Sequence, residues 1–139
     1  MRTLVVDTDV VSFIFNRHPF SVPYLDLLAG NELVTSFMTL AEIRLGILQA
    51  KWGPRRRTEF EQYLDRYELH FPDEASCGTW ARVTLDAQSR GLVLSPQDAW
   101  IAATALDLAA PLVTHNARHF EGVSGLKIHT AYSPPARGE

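Results

Sequence analysis

The chain is poor in cysteine and has no long apolar run. Cys77 is its only cysteine, so no disulfide can form within the chain, and a reducing compartment such as the cytoplasm is expected. No apolar segment approaches the roughly 18 residues of a membrane-spanning helix, and nothing at the N-terminus is typical of a secretion signal. These absences predict a cytoplasmic protein that does not contact a membrane.

An excess of positive charge is also missing. The formal net charge of the 139 residues is -3 at pH 7. This argues against tight, nonspecific adhesion to nucleic acid, which depends on basic side chains that neutralise phosphates, but it does not exclude an enzyme that acts on nucleic acid. With 46% hydrophobic residues the chain can build its own core. We expect one domain over residues 1–132 and a flexible tail at 133–139.

Short apolar strands alternate with helical patterns along the chain. The strands are predicted at Thr3–Val6, Glu32–Phe37, Leu112–Thr114 and, at an edge, Lys127–Thr130. The helices are predicted at Thr39–Trp52, along the spaced apolar residues from Phe60 to Phe71, at Ala75–Arg90 and from Pro96 onward. This alternation predicts an α/β fold, a three-layer α/β/α sandwich with a central parallel sheet.

Polar side chains stand where the predicted strands end. Asp7 follows the first strand, Glu42 lies one turn into the helix after the second, Asn116 follows the third, and Asp98 begins a buried helix. In a parallel sheet such corners share one edge, so these side chains can converge. Two like charges ~4 Å apart repel by about 4 kcal/mol at an effective dielectric of 20. A hard divalent cation, Mg²⁺ or Mn²⁺, would relieve that repulsion, whereas no cysteine or histidine cluster at the corners favours Zn²⁺.

Each of these residues also has an ordinary structural explanation. The segments Thr39–Glu42 and Ser95–Asp98 both fit the capping-box pattern at a helix N-terminus. Asp7 could cap the next helix, and Asp9 could be a first-turn acid that the helix dipole favours. Asn116 could be a turn residue. A cap explains each residue singly, whereas a shared site explains why they all fall at one edge of the sheet.

Other polar residues give weaker signals. His115 and His119 have the i, i+4 spacing of two metal ligands on a helix, but no acidic third ligand accompanies them. The run Arg55–Arg57 is typical of a solvated helix start, although it could also hold phosphates. Thr8 and Thr114 could donate hydrogen bonds to a phosphate or act within turns. These residues alone do not decide a function.

Four motifs in order carry a family resemblance. They are VVDTDVV around Asp7, TSFMTLAEIRLGI around Glu42, LSPQDAWIAATAL around Asp98 and LVTHNARHFEGVSGLKI around Asn116. In these motifs the sequence resembles the PIN-domain ribonucleases, and within them the VapC-type toxins of bacterial toxin–antitoxin pairs. The resemblance covers nearly the whole chain.

The resemblance implies a metal-dependent endoribonuclease with an acidic pocket. Asp7, Glu42 and Asp98 fall on the three principal acids, which would hold Mg²⁺ or Mn²⁺ directly or through water. Asn116 would complete the catalytic set at a position where many members have a fourth acid. The polar side chains expected to support the site are Asp9, Thr8 and Thr114. The resemblance further implies an RNA substrate, a cognate antitoxin that blocks the pocket, and a toxin homodimer.

Two other functions fit parts of the sequence. VVDTDVV also resembles the nucleophile motif of haloacid-dehalogenase-like phosphatases, in which Asp7 would attack phosphorus and Asp9 would act as general acid. That chemistry needs a lysine, and neither Lys51 nor Lys127 follows a suitable motif. The second alternative is a PIN-like module that binds RNA or protein without turnover. Asn116 keeps it open, although a pure binder has no need of an acid cluster.

Overall fold

The computed structural model describes residues 1–131 and shows a five-stranded, fully parallel sheet. The strands are β1 (Thr3–Val6), β2 (Glu32–Ser36), β3 (Glu68–His70), β4 (Leu112–Val113) and β5 (Ile128–His129), in the spatial order β3-β2-β1-β4-β5. The α-helices of the described residues are α1 (Thr8–Phe15), α2 (Val22–Leu28), α3 (Phe37–Ala50), α4 (Pro54–Leu64), α5 (Glu74–Ser89) and α6 (Pro96–Asp107). Short 3-10 turns lie at Pro19–Ser21 and Ala117–Phe120.

Strand β1 is the centre of the sheet, and its two faces build two cores. Val5 pairs with Val34 of β2 on one side and with Leu112 of β4 on the other. Leu4 and Val6 pack with α1 to α4, whereas Val5 packs with α5 and α6. Because successive side chains of a strand point to opposite faces, a strand covered on both faces needs apolar residues throughout. The three-layer α/β/α prediction is thereby confirmed.

The predicted strands are all present, and the sequence missed one more. The apolar spacing from Phe60 to Phe71 predicted one continuous helical face, but α4 ends at Leu64. The chain then turns, Tyr67 enters the core, and Glu68–His70 forms the edge strand β3. Phe71 is 62% exposed and does not continue the face. The prediction of a helix beyond Leu64 was therefore wrong. Tyr67 is buried as its spacing suggested, but a turn after α4 places it in the core and not a continued helix.

The start of α3 also differs from the prediction. Ser36 is the N-cap, and its hydroxyl accepts a hydrogen bond of 3.1 Å from the Met38 backbone N–H. Thr39 lies buried inside the helix, so the capping-box interpretation of Thr39–Glu42 was wrong. By contrast, α6 begins at Pro96 with Ser95 as its cap, as predicted.

The described residues end before the predicted C-terminal tail. The tail predicted at 133–139 and the boundary before it lie outside them. No helix within residues 1–131 is long and apolar enough to cross a membrane.

Candidate active site

Asp7 is a buried carboxylate held between two strand ends. It leaves β1 as the N-cap of α1, and its Oδ1 accepts a hydrogen bond of 2.8 Å from the Thr8 backbone N–H. Its Oδ2 accepts a bond of 2.7 Å from the Thr114 hydroxyl, just beyond β4. The residue is 6% exposed. Burial, reinforced by the negative charge of Asp9, raises the pKa of Asp7 to about 7, against the lowering effect of these two hydrogen bonds.

Asp9 ties the first turn of α1 to the corner after β4. Its Oδ1 accepts a hydrogen bond of 2.7 Å from the Val10 N–H, and its Oδ2 accepts one of 3.0 Å from the His115 N–H. Burial raises the pKa of Asp9, and the backbone donors oppose that rise. Both carboxylate oxygens of Asp9 therefore accept hydrogen bonds from the backbone. Asp9 lies in the first turn of α1, as predicted, and it also holds the corner after β4 in place.

The corner after β4 is fixed a second time by Thr114. Its Oγ1 accepts a hydrogen bond of 3.0 Å from the Asn116 N–H, and the same hydroxyl donates a hydrogen bond to Asp7. Asn116 stands at the start of the 3-10 turn Ala117–Phe120, and its side chain does not cap that turn. The amide of Asn116 is thus placed by its backbone at the edge of the sheet where Asp7 lies.

Glu42 reaches the same edge from α3. Its Oε1 accepts a hydrogen bond of 3.0 Å from the Thr8 hydroxyl. The Thr8 hydroxyl also lies 3.0 Å from the Thr39 hydroxyl. Burial raises the pKa of Glu42, and the charges of Asp98 and Asp9 add to that rise. Thr8 therefore links the start of α1 to α3 and orients Glu42.

Asp98 lies at the N-terminus of α6. Its backbone N–H donates 3.1 Å to the Ser95 hydroxyl, which confirms the cap, while its carboxylate Oδ2 lies 3.5 Å from Nδ1 of His119. His115 is placed elsewhere: its Nδ1 lies 2.7 Å from the Tyr24 hydroxyl, and its ring stacks on Phe20. The two histidines are therefore not a pair of ligands on one helix, since only His119 of the two lines the cleft.

These side chains line one open cleft of ≈ 550 Å³. It brings together the predicted residues Asp7, Thr8, Asp9, Glu42, Asp98 and Asn116. It also contains His119, which the sequence indicated only weakly, and three side chains that the sequence did not indicate as functional: Ser12, Leu45 and Gln97. Of these Ser12 could have been found, because it follows Thr8 by one helical turn and so shares its face of α1.

Comparison with known proteins places this cleft in a family. The sequence profile of the PIN domain matches residues 4–126, most of the chain. The chain belongs to the PIN-domain family. Its relatives include Ribonuclease VapC1 of Haemophilus influenzae strain R2866, 30% identical over 128 residues, which cover 88% of this chain and 93% of the relative. The tRNA(fMet)-specific endonuclease VapC of Shigella flexneri is 26% identical, over 91% of this chain and 96% of its own.

Solved structures resemble the same PIN domain. VapBC2 from Rickettsia felis, bound to a DNA fragment from its promoter, matches with a TM-score of 0.82 and 25% identity, over 92% of this chain and 98% of that chain. VapBC-1 from nontypeable Haemophilus influenzae matches with a TM-score of 0.78 and 26% identity, over 92% of this chain and 97% of that chain. Both likenesses span nearly the whole fold and not the site alone.

The donor set of the PIN-domain cleft suits a hard divalent cation. It consists of carboxylates, the amides of Gln97 and Asn116, and hydroxyls, without a thiol, and its single imidazole, that of His119, lies beside Asp98. Burial and the negative charges of Asp9 and Asp98 raise the pKa values of Asp7 and Glu42, and a bound cation would favour the ionised form of both. Within residues 1–131 no three His, Cys, Asp or Glu side chains already stand around a single metal position.

Proposed function

We propose that this PIN domain is a metal-dependent endoribonuclease that hydrolyses RNA phosphodiester bonds as the toxin of a toxin–antitoxin pair. The observation that carries the proposal is the convergence of four carboxylates, from the start of α1, the second turn of α3 and the start of α6, in one open cleft at the carboxyl edge of the sheet. The names of the relatives as ribonucleases and of the structural neighbours as VapBC complexes support it.

The cofactor of the proposed reaction is Mg²⁺ or Mn²⁺. Asp7, Glu42 and Asp98 would hold the ion, directly or through water. When bound, such an ion lowers the pKa of a coordinated water and neutralises charge that grows on the phosphate.

The residues of the chain position the reactants and accept a proton. The oxygen of water forms a bond to phosphorus while the bond between phosphorus and the leaving ester oxygen breaks, and the leaving oxygen keeps that electron pair and takes a proton from solvent water. The proton of that water passes to a carboxylate of the cleft, Glu42 or Asp98. Asp7 keeps one orientation because Thr8 and Thr114 both donate to it. Asn116 supplies amide hydrogen bonds from the corner that Thr114 holds.

The geometry disfavours the phosphatase alternative. That mechanism needs Asp9 as a general acid beside the leaving group. Here both carboxylate oxygens of Asp9 accept backbone N–H groups of Val10 and His115. Asp9 is therefore a positioning residue in our proposal.

The proposal extends to partners and location. The neighbouring structures are named as VapBC, a family of toxin-antitoxin systems, so we propose a cognate antitoxin that blocks the cleft. We also propose that the toxin is a homodimer and that it is located in the cytoplasm. The cytoplasmic location rests on the single cysteine, which fits a reducing compartment.

The test is cleavage of a folded RNA pool by purified protein free of antitoxin. We expect products in Mg²⁺ or Mn²⁺ and none in EDTA. The variant Asp7→Asn, shown by circular dichroism to be folded, should give none under either condition. Full activity of folded Asp7→Asn, or activity that survives EDTA, would contradict the proposal. RNA binding without cleavage would favour the binding module instead.

A further inference from the structure

Tyr24, in α2, is a buried tyrosine whose hydroxyl contacts two distant segments of the chain. Its exposed fraction is 0%. The hydroxyl oxygen accepts a hydrogen bond of 3.2 Å from the backbone N–H of Ala131, beyond β5. It also lies 2.7 Å from Nδ1 of His115 and 3.5 Å from the carbonyl oxygen of Thr114. The hydroxyl of Tyr24 is therefore a polar centre inside the fold, directly beside the corner after β4.

The imidazole of His115 is held on several sides. Its Nδ1 lies at hydrogen-bond distance from the Tyr24 hydroxyl. Its ring stacks on that of Phe20, with the two centroids 4.8 Å apart and the planes inclined by 26°. The ring of Phe13 meets it edge to face, at a centroid distance of 5.3 Å. The hydrogen bond places one ring atom and the stacking sets the ring plane, so together they fix both side-chain torsions of His115.

The backbone of the same corner is fixed from another direction. The N–H of His115 donates 3.0 Å to Oδ2 of Asp9, and the next N–H, that of Asn116, donates 3.0 Å to the Thr114 hydroxyl. Asn116 has φ -106° and ψ 56°, outside the regular helix and strand regions. No regular element therefore sets its direction, which depends on how firmly the residues just before it are held.

We infer that Tyr24 is a positioning residue for the acidic cleft: its hydroxyl, acting through the imidazole of His115, sets the direction in which the amide of Asn116 enters the cleft. The inference rests on the proposed function, in which Asn116 supplies amide hydrogen bonds from this corner. The described lining of the cleft includes no side chain of α2, so Tyr24 acts only through the corner that it holds.

The first test follows the corner in the metal-free protein. Backbone amide hydrogen exchange is measured by NMR in EDTA for the wild type, Tyr24→Phe and Tyr67→Phe. Tyr24→Phe keeps the aromatic ring and removes only the hydroxyl. Tyr67→Phe is the matched control, because it removes the hydroxyl of another buried tyrosine, one that lies 2.5 Å from the Tyr63 hydroxyl and away from the corner after β4.

We expect the N–H groups of His115 and Asn116 to exchange about fivefold faster in Tyr24→Phe, as the loss of one hydrogen bond predicts. The comparison is made with the N–H of Val5, in the central strand, whose exchange reports global unfolding. Tyr67→Phe should leave the ratio of corner exchange to Val5 exchange unchanged.

A second variant removes the other partner of the same contact. His115→Phe keeps an aromatic ring beside Phe20 but has no Nδ1, and it should speed the exchange of the Asn116 N–H in the same way. This variant decides the question if Tyr24→Phe does not fold, because His115 is only half-buried. Exchange ratios equal to those of the wild type in the folded variants would overturn the inference.

The second test separates positioning from stability. With the RNA that is cleaved in the assay above, Tyr24→Phe should lower kcat by roughly tenfold or more and leave KM within about twofold, since misplacement of a catalytic group slows the chemical step. In an Asn116→Ala background the same substitution should have no further effect on kcat, because the group that Tyr24 positions is gone. Equal losses of kcat in both backgrounds would overturn the inference, since Tyr24 would then act on the fold and not through Asn116.

The two tests keep this inference apart from the nuclease proposal. Absence of cleavage by the wild type would contradict the proposed function, and amide exchange in EDTA would still decide whether Tyr24 holds the corner. Faster exchange at the corner together with an unchanged kcat in Tyr24→Phe would overturn the positioning role while the nuclease proposal stands.

Discussion

The hydroxyl of Thr114 donates a 2.7 Å hydrogen bond to the buried carboxylate of Asp7, although the two residues are 107 positions apart in the chain. The bond joins the corner after β4 to the corner after β1, which are neighbouring strands of the sheet. Because Thr114 also accepts from the N–H of Asn116, one hydroxyl orients both a central acid and the turn beside it.

Replacement of Thr114 by valine should therefore damage both stability and activity. Thr114→Val keeps the shape of the side chain but leaves the Asp7 carboxylate and the Asn116 N–H without this partner. We expect a loss of roughly 1–3 kcal/mol in the free energy of unfolding, the usual cost of a buried polar group left unsatisfied. Urea denaturation measures it, together with RNA cleavage in Mg²⁺. Thr114→Ser keeps the hydroxyl and should retain most of both properties; equal damage in the two variants would contradict this role.

Asp7→Asn should stabilise the metal-free protein while it abolishes cleavage. The substitution removes a buried carboxylate whose pKa is raised to about 7 by burial and by Asp9. The amide oxygen can still accept from the Thr8 N–H, and the amide NH₂ can donate to the Thr114 hydroxyl in a bond of reversed direction. We expect a gain of about 2 kcal/mol in the free energy of unfolding in EDTA at slightly alkaline pH. Addition of Mg²⁺ should stabilise the wild type more than the variant. A variant less stable than the wild type in EDTA would show that the carboxylate helps to hold the fold.

The same shift predicts a pH dependence of defined sign. The pKa of Asp7 rises from an ordinary 3.8 to about 7 on folding, so between these values the folded protein holds a proton that the unfolded chain has lost. The stability that Asp7 contributes by keeping its proton in the fold is fully present below about pH 3.8. It is lost as the pH rises through the folded pKa of about 7. In EDTA the advantage of Asp7→Asn over the wild type should therefore grow across this window and then level off. Denaturant midpoints at several pH values measure it, and a constant difference would contradict the shift.

Two substitutions at Asp9 should separate positioning from charge. Asp9→Asn keeps one acceptor oxygen for the two backbone N–H groups that Asp9 now satisfies, whereas Asp9→Ala keeps none. We expect Asp9→Asn to retain a large part of the cleavage rate and Asp9→Ala to lose more, with stability lower by about 1–2 kcal/mol. Cleavage rates and urea midpoints of both variants test this. If both lose all cleavage while their stabilities match the wild type, the negative charge itself is required.

The sequence was informative where one physical signal acted alone. The unbroken apolar run of β1 and the Ser95-Pro96 start of α6 each predicted an element that the structure contains. The parallel sheet then followed from alternation of strands and helices, and with it the convergence of Asp7, Glu42 and Asp98 on one cleft. Topology rather than local pattern made that prediction possible.

The sequence was misleading where tertiary contacts decide. Tyr67 continues the apolar spacing of α4, yet it reaches the core from a turn, where its hydroxyl lies 2.5 Å from that of Tyr63. Thr39 resembles a cap, but its buried hydroxyl pairs with Thr8 on another helix. The contact between Thr114 and Asp7 joins distant parts of the chain, and no local spacing encodes it.

The order of the strands has a consequence for the timing of synthesis. A ribosome completes β1, α1 and α3 early, but α6 and β4 lie in the last third of the chain. Until those segments emerge, Asp7 lacks its hydroxyl partner Thr114, and the cleft lacks both Asp98 and Asn116. A nascent chain therefore cannot form the complete cleft, and any toxicity would begin only after most of the protein has been translated.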